Sequence, residues 1–172
     1  RRSSDLCDQA NLHQTAVGAE PGLLDLYVNS DNPTVTTASP DLIAAARTAA
    51  QWKGQVWDNR IAVEVTTLDA LIAQYGIPDF AKIDVEGHEL EVLKGLTQRP
   101  PALSFEFTTI QKDVALDCLT QMNGLGSYEF NVSLGEDHAF VNPSWTDAQT
   151  LQSQIARLPV RANSGDVFAR LR

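Results

Sequence analysis

The sequence predicts an α/β fold with a parallel sheet, and two observations carry that expectation. Along residues 80–134 the pattern runs strand, helix, strand, helix, strand, the succession that parallel strands joined by helical crossovers produce. Within it, Phe80-Ala81-Lys82-Ile83-Asp84-Val85-Glu86-Gly87-His88-Glu89 reads as a strand, a sharp turn and a helix start, with carboxylates gathered at the junction. In open α/β sheets ligands bind where strands end and helices begin, so chemistry is expected at this corner. Acidic groups near a helix N-terminus also complement its dipole, and spacing alone leaves both readings open.

With 172 residues, the chain is read as one domain, residues 1–172. A hydrophobic fraction of 43% against 20% charged residues gives enough apolar material for a sizeable core. The net charge of -9 and the lack of a lysine and arginine cluster disfavour nucleic acid as a partner. No apolar run approaches spanning length, so no membrane association is expected. No signal peptide is read, and a cytoplasmic protein is the expectation. Cys7 and Cys118 form no CxxC; two reduced thiols are the plainer reading, and a disulfide is not implied. Zinc-type ligand spacing is absent, and no metal is assigned.

Taken in order, residues 1–10 are polar and read as loose. Leu12 to Val17 suggests a short strand ending at Gly18. Glu20-Pro21-Gly22 suggests a turn, and Leu24, Leu26 and Val28 alternate through a second strand, as a hairpin or an edge strand. Asn29 to Ser39 is a polar loop. Ser39-Pro40 then supplies an N-cap and a proline at the first helical position of a helix running toward Gly54. Trp52 and Trp57 flank its end; exposed they could stack on a ligand, buried they are core. Ile61, Val63 and Val65 alternate in a strand. Thr66 to Asp69 resembles a capping box, and Leu68, Leu71, Ile72 and Tyr75 follow helical spacing up to Gly76.

In the central strand, Phe80 to Val85, Ala81, Ile83 and Val85 share one face and Lys82, Asp84 and Glu86 the other. If helices cover both faces, Asp84 is a buried carboxylate that needs donors or a functional reason, whereas Lys82 can reach solvent. At about 100° per residue, Glu89 joins Leu90, Val92, Leu93 and Leu96 on the apolar arc and should face the sheet's carboxyl edge. His88 should face outward, and HELE lacks the second histidine of a HExxH zinc site. After Pro100-Pro101, Ala102 to Phe107 forms a strand with Glu106 near its end. Were that strand parallel and adjacent to the previous one, Glu106 would join Asp84 and Glu86 at one rim. Lys112 to Asn123 reads as a helix closed by Gly124, and Tyr128, Phe130, Val132 and Leu134 alternate in a strand. A turn at Gly135-Glu136-Asp137, a short returning strand from His138 to Val141, a helix through Leu151, Ile155 and Leu158, and a closing strand from Val167 to Leu171 complete the reading.

Thr66-Thr67-Leu68-Asp69-Ala70-Leu71, then Lys82-Ile83-Asp84-Val85-Glu86-Gly87-His88-Glu89, then Val92-Leu93-Lys94-Gly95 resemble the FkbM family of S-adenosylmethionine-dependent methyltransferases, with its TTLDxL segment and KIDVEGxExxVLxG core. Glu106 matches the acidic end of that family's next strand. The resemblance covers roughly residues 12–134. It implies a Rossmann-like, class I methyltransferase sheet, mostly parallel with helices on both faces. It departs from the family in having no glycine-rich turn of the GxNxGxxT kind and no following acidic strand end. The chain therefore reads as the C-terminal portion of that fold, lacking the first strands, with the third and fourth strands either paired directly or left with open edges. The family likeness implies methyl transfer to a hydroxyl of a small molecule or sugar. Asp84 would be the first candidate for general base or acceptor-orienting group, with Glu86 and Glu106 as further acceptor-binding groups. Ala16 and Val17 would lie near the adenine of the cofactor. The same carboxylates could instead hold magnesium. A non-catalytic binding or assembly domain, derived from a methyltransferase that lost its cofactor half, is the alternative. An incomplete sheet would also invite pairing with another chain as a homo-oligomer.

Overall fold

The computed structural model describes residues 10–135, 137 and 139–172. Cys7 and the rest of the segment ahead of residue 10, which the sequence reading expects to be loose, and Glu136 and His138 of the expected turn and returning strand lie outside the described residues.

Two sheets form. In the smaller one, β1 (Ala16–Val17) runs parallel to β3 (Asn59–Thr66), and β2 (Gly22–Val28) runs antiparallel to it on the other side. The two expected strands at the start therefore flank β3 and do not form a hairpin with each other. The loop after β2 is pinned by Asn29, which is buried and accepts from the backbone N–H groups of Asp31 and Asn32. Ser39 caps α1 (Pro40–Ala46), its hydroxyl accepting from Leu42 N at 3.1 Å. This helix stops short of the expected reach toward Gly54; a separate single turn, Ala50–Trp52, follows. Trp52 and Trp57 stack on each other with centroids 6.3 Å apart, half-buried, and the Trp57 ring N–H donates to Val35 O.

The larger sheet has the order β4 (Ala81–Ile83), β5 (Ala102–Thr108), β7 (Ser164–Leu171), β6 (Tyr128–Leu134). Only β4 and β5 are parallel; β7 inserts antiparallel between β5 and β6. The expectation of a mostly parallel sheet is thus corrected to two mixed sheets. The closing strand starts three residues earlier than its apolar run suggests, at Ser164. β1 and β4 lie in different sheets, so they do not pair directly, and β4 is bonded to a described strand on one side only.

Alternation fixes the core. Ile83, Phe105, Val167 and Val132 are register partners across all four strands and point to one face. There they meet Val92 and Leu93 of α3 (Glu89–Lys94), Cys118, Leu119 and Met122 of α4 (Lys112–Leu125) and Leu151 and Ile155 of α5 (Ala148–Ala156). Leu68 and Ile72 of α2 (Leu68–Tyr75) pack on the same cluster. The opposite face carries Lys82, Ser104, Phe168 and Asn131 in register, and next to them Glu106, Asp166 and Ser133. Such a row cannot accept an apolar helix stripe. Here the segment around Phe140 and Trp145 packs against Phe168 instead. Helices on both faces, the expected arrangement, is therefore corrected to helices on one face among the described residues.

At the start of α2 the cap is Thr67, whose hydroxyl accepts from Ala70 N. Asp69, expected to close a capping box with Thr66, instead accepts from Thr97 N at 2.8 Å, Thr97 Oγ1 at 2.6 Å and Gln98 N at 3.3 Å. It ties α2 to the loop leaving α3. Burial opposes its charge, yet the bonds from Thr97 and Gln98 prevail and hold its pKa below the ordinary carboxyl value. A lowered pKa contributes stability above the unfolded value, lost as pH falls through the folded one. Asp69→Asn is expected to cost about 1 kcal/mol at pH 7, an exposed-site discount included, and progressively less as the pH is lowered, as read by urea unfolding across an acid pH series. No helix among the described residues is long and apolar enough to cross a membrane.

Candidate active site

β4 ends at Ile83 and the chain turns sharply through Val85, Glu86 and Gly87 before α3. Glu86 adopts φ 51° and Gly87 φ 85°, two successive left-handed residues. Glutamate rarely adopts that conformation, and a residue held there is over-determined by its surroundings. Three bonds do the holding. The Thr37 hydroxyl, fully buried, donates to Glu86 O at 2.5 Å. The Glu89 carboxylate accepts from Val85 N at 3.2 Å and Gly87 N at 3.1 Å. Glu89 is 2% exposed, on the buried arc that its spacing in the sequence assigns, and it acts as the clamp of the turn. Gly87 has no room for a side chain, because a Cβ there would stand 2.7 Å from Gln111 Oε1 and 3.2 Å from Leu42 Cβ.

The turn aims Glu86 at the end of β5. Asp84, Glu86 and Glu106 each present a carboxylate oxygen, all within 4.8 Å of one another. The structure thus brings together the three acidic residues that the sequence singles out. It corrects one premise about them: the Asp84 side chain is 47% exposed, not buried, because the polar face of the sheet has no helix over it. Glu86 and Glu106 are the half-buried pair. Lys82 reaches solvent as expected, and its ammonium also lies 3.5 Å from Asp84 and pairs with Asp166, the register partner of Glu106 on β7. Asp166 is absent from the sequence-based candidates because it precedes the apolar run of its strand. Extending the alternation of Val167 and Ala169 back by one residue would have found it. Thr37 left no signal, since its role depends on a loop reaching across to Glu86.

Three like charges at this distance cannot all be ionised cheaply. Burial first, then the charges of Asp84 and Glu89, push the Glu86 carboxyl up to about 7. Burial, a hydrogen bond with Asp84 and the charges of Asp84 and Glu86 hold Glu106 well above the ordinary carboxyl range, with Lys82 opposing. Burial works against the Lys82 charge, and Asp166, Asp84 and Glu106 outweigh it, so the ammonium is held more firmly than an ordinary lysine. At neutral pH the corner therefore offers a protonated Glu106 and a Glu86 poised between its two states. Such a set can orient a hydroxyl and accept its proton. The same oxygens could also ligate a hard divalent cation, though the neighbouring ammonium already supplies positive charge.

Ala16 and Val17 stand apart from this corner, in the smaller sheet. Val17 packs on the core cluster that includes Ile83, and at Gly18, the residue after the strand, a Cβ would lie 3.9 Å from His88 Nε2. His88 does not face outward as its helical angle suggests. It is the non-helical N-cap of α3, with ψ 12°, and sits half-buried against that strand end. Burial lowers its pKa.

Comparison with known proteins bears on this geometry. No curated protein and no solved structure matches the chain. The family model described as the Methyltransferase FkbM domain matches residues 4–141. That span takes in the whole turn from β4 to α3, both Glu86 and Glu106, and well over half of the sequence, and so the chain belongs to the FkbM methyltransferase family.

Proposed function

We propose that the chain supplies the acceptor side of an S-adenosylmethionine-dependent O-methyl transfer to a hydroxyl of a small molecule or sugar, in the cytoplasm. The observation that carries this reading is Glu86, held in a left-handed turn against two further carboxyls with a pKa of about 7. The acceptor hydroxyl would lie in the corner of Asp84, Glu86 and Glu106. Protonated Glu106 donates to the acceptor oxygen or to Asp84, Asp84 accepts from a neighbouring hydroxyl, and ionised Glu86 takes the proton of the reacting one. Held geometry and proton removal are what this chain contributes to an in-line displacement.

The methyl donor is less well matched than the acceptor. Among the described residues no strand leads through a turn with several glycines into a helix, and β4 has one side bonded to no described strand. Ala16 and Val17, which family likeness would set near adenine, offer apolar contact only. When bound, the donor would supply an electrophilic methyl carbon. The open side of β4 favours a second reading, a binding or assembly domain that keeps the methyltransferase scaffold without its chemistry.

Methyl-labelled S-adenosylmethionine, offered with a panel of sugars and hydroxylated small molecules, separates the two. Transfer that rises with pH through about 7 supports Glu86 as proton acceptor. Transfer that is flat between pH 6 and 8 removes it. An absence of both transfer and calorimetric S-adenosylmethionine binding leaves the non-catalytic reading.

A further inference from the structure

Trp52 and Trp57, which the carboxylate corner does not use, stand in the walls of two adjoining clefts at α1. Leu42 and Ala46 are the buried residues of that helix, and Leu42 is the one that meets Gly87. Pro40, Ile43, Ala44 and Arg47 recur at the spacing of a different helix face, where with Tyr27 and Trp57 they bound a cleft of about 360 Å³. Arg47 also lines a second cleft, of about 480 Å³, whose wall includes Trp52 and Lys53. The two indole planes lie only 18° apart, one ring to each cleft. Both rings are fixed before any ligand arrives. The Trp57 ring N–H donates to Val35 O at 2.8 Å, and Trp52 ends a single helical turn. Between them, the Gln55 side-chain oxygen accepts from the side chains of Asn29 at 2.7 Å and Asn32 at 3.3 Å.

The charge of this surface runs against that of the chain. The net charge is -9, yet no aspartate or glutamate lines either cleft, and Arg47 and Lys53 do. Both cations are exposed, and among the described residues neither forms an ion pair. The nearby Arg60 is taken up by Asp25, and Asp58, next to Trp57, accepts from Ser30 N. Water can satisfy an exposed cation, so the charges alone decide nothing. The repetition decides, because each cleft sets a held aromatic ring beside a cation. Held rings offer flat apolar area at little entropic cost, and a guanidinium matches a carboxylate with two hydrogen bonds. A ligand that answers both clefts repeats a ring with one apolar face and an anionic group. A chain of acidic sugars does this, since the C–H bonds on one face of a pyranose lie flat on an indole while its carboxylate stands at the ring edge. We propose that the two clefts bind an acidic oligosaccharide of the uronic-acid class, one sugar on Trp57 with its carboxylate on Arg47 and another on Trp52 with its carboxylate on Lys53. Single-stranded nucleic acid also repeats a ring and an anion, but two cations on a chain of this charge make no track for a phosphate backbone. The site is separate from the carboxylate corner and does not depend on the transfer reading.

The test is titration of the full chain at pH 7 and low ionic strength with digalacturonate, neutral galactobiose and a short oligothymidylate, read by calorimetry and by the indole N–H resonances. Digalacturonate is expected to bind about 10-fold more tightly than galactobiose and to lose that margin at about 0.5 M salt. It should shift the Trp52 and Trp57 signals and leave that of Trp145, which packs on the larger sheet through Phe140 and Phe168. Arg47→Gln/Lys53→Gln, at two exposed positions, should erase the margin and leave galactobiose affinity as it was. Equal binding of the two disaccharides, no saturable binding, a margin that survives the double substitution, or shifts at Trp145 instead overturns the proposal. Tighter binding of the oligothymidylate overturns it in favour of nucleic acid. The titration needs no methyl donor. A chain that transfers methyl without showing the margin overturns this proposal alone, and one with the margin but no transfer overturns the transfer reading alone.

Discussion

Glu86→Gln is expected to lower methyl transfer by about 10²–10⁴-fold and, at pH 8, to make the protein more stable. The two effects have one cause. The carboxyl of Glu86 is raised from 4.5 to about 7 by burial and by the charges of Asp84 and Glu89, so its ionised form is useful to an acceptor hydroxyl and costly to the fold. The sign follows from linkage. A folded pKa above the unfolded one stabilises fully below the unfolded value, and that contribution is lost as pH rises through the folded value. Wild-type stability should therefore fall between about pH 4.5 and pH 7, with Glu106 acting in the same direction. Because Glu86 is partly open to solvent, the recovered stability at pH 8 is about 1–2 kcal/mol, less than the full shift would give. Glutamine has the shape of glutamate and meets the same strain at φ 51°, so the substitution isolates the charge. Denaturant unfolding at pH 5 and pH 8, beside label-transfer rates for the same samples, reads both effects. Higher stability with unchanged transfer would make Glu86 a strained bystander; lower stability would mean that its carboxylate is a structural acceptor.

How far the chain could be read in advance differs from one part to another, for physical reasons. The carboxylate corner was legible because alternation along Phe80–Val85 and along Ala102–Phe107 puts Asp84 and Glu106 at strand ends, and the parallel pairing of β4 and β5 then makes them neighbours. Glu89 was legible from its helical angle. What escaped depends on long-range partners. The path of β7 between β5 and β6 is set by which strand edges are open, and no local pattern records that. The expected burial of Asp84 followed from assuming a covered sheet, when the row Lys82, Ser104 and Glu106 already argued for a polar face, and the side chain is 47% exposed. Thr37, Asp166 and Gln111 carry ordinary side chains whose meaning appears only once the loop, the closing strand and the segment after β5 converge on Glu86 and Gly87. His88 shows the limit of helical-wheel reasoning, because a non-helical N-cap does not obey the wheel.

Gly95→Ala should be strongly destabilising. The backbone of Gly95, at φ -81° and ψ 14°, is one any residue can adopt, so the cost is purely steric. A Cβ there would stand 2.2 Å from Gly18 O and 3.2 Å from Thr67 Cβ. The obstacle is a carbonyl oxygen of the main chain, which cannot swing aside like a side-chain tip. Gly18 is itself fixed, its N–H donating to Thr66 O at 2.9 Å, and Gly95 O accepts from Asp69 N at 3.0 Å. These contacts join the end of α3 to the end of β1 and the start of α2, the seam between the smaller sheet and the larger. Overpacking typically costs 1–3 kcal/mol, and against the fixed main chain of Gly18 the loss should reach about 3 kcal/mol. Gly124→Ala supplies the control. It lies in the last turn of α4 with nothing within 4 Å of its Cβ position, and alanine there should be neutral or add up to about 0.5 kcal/mol. Thermal and urea unfolding of the two variants should therefore move in opposite directions or nearly so. If Gly95→Ala costs less than about 1 kcal/mol, the seam is looser than the contacts describe. The end of β1 would then not be held against His88, and Ala16 and Val17 would have no fixed relation to the corner at Glu86.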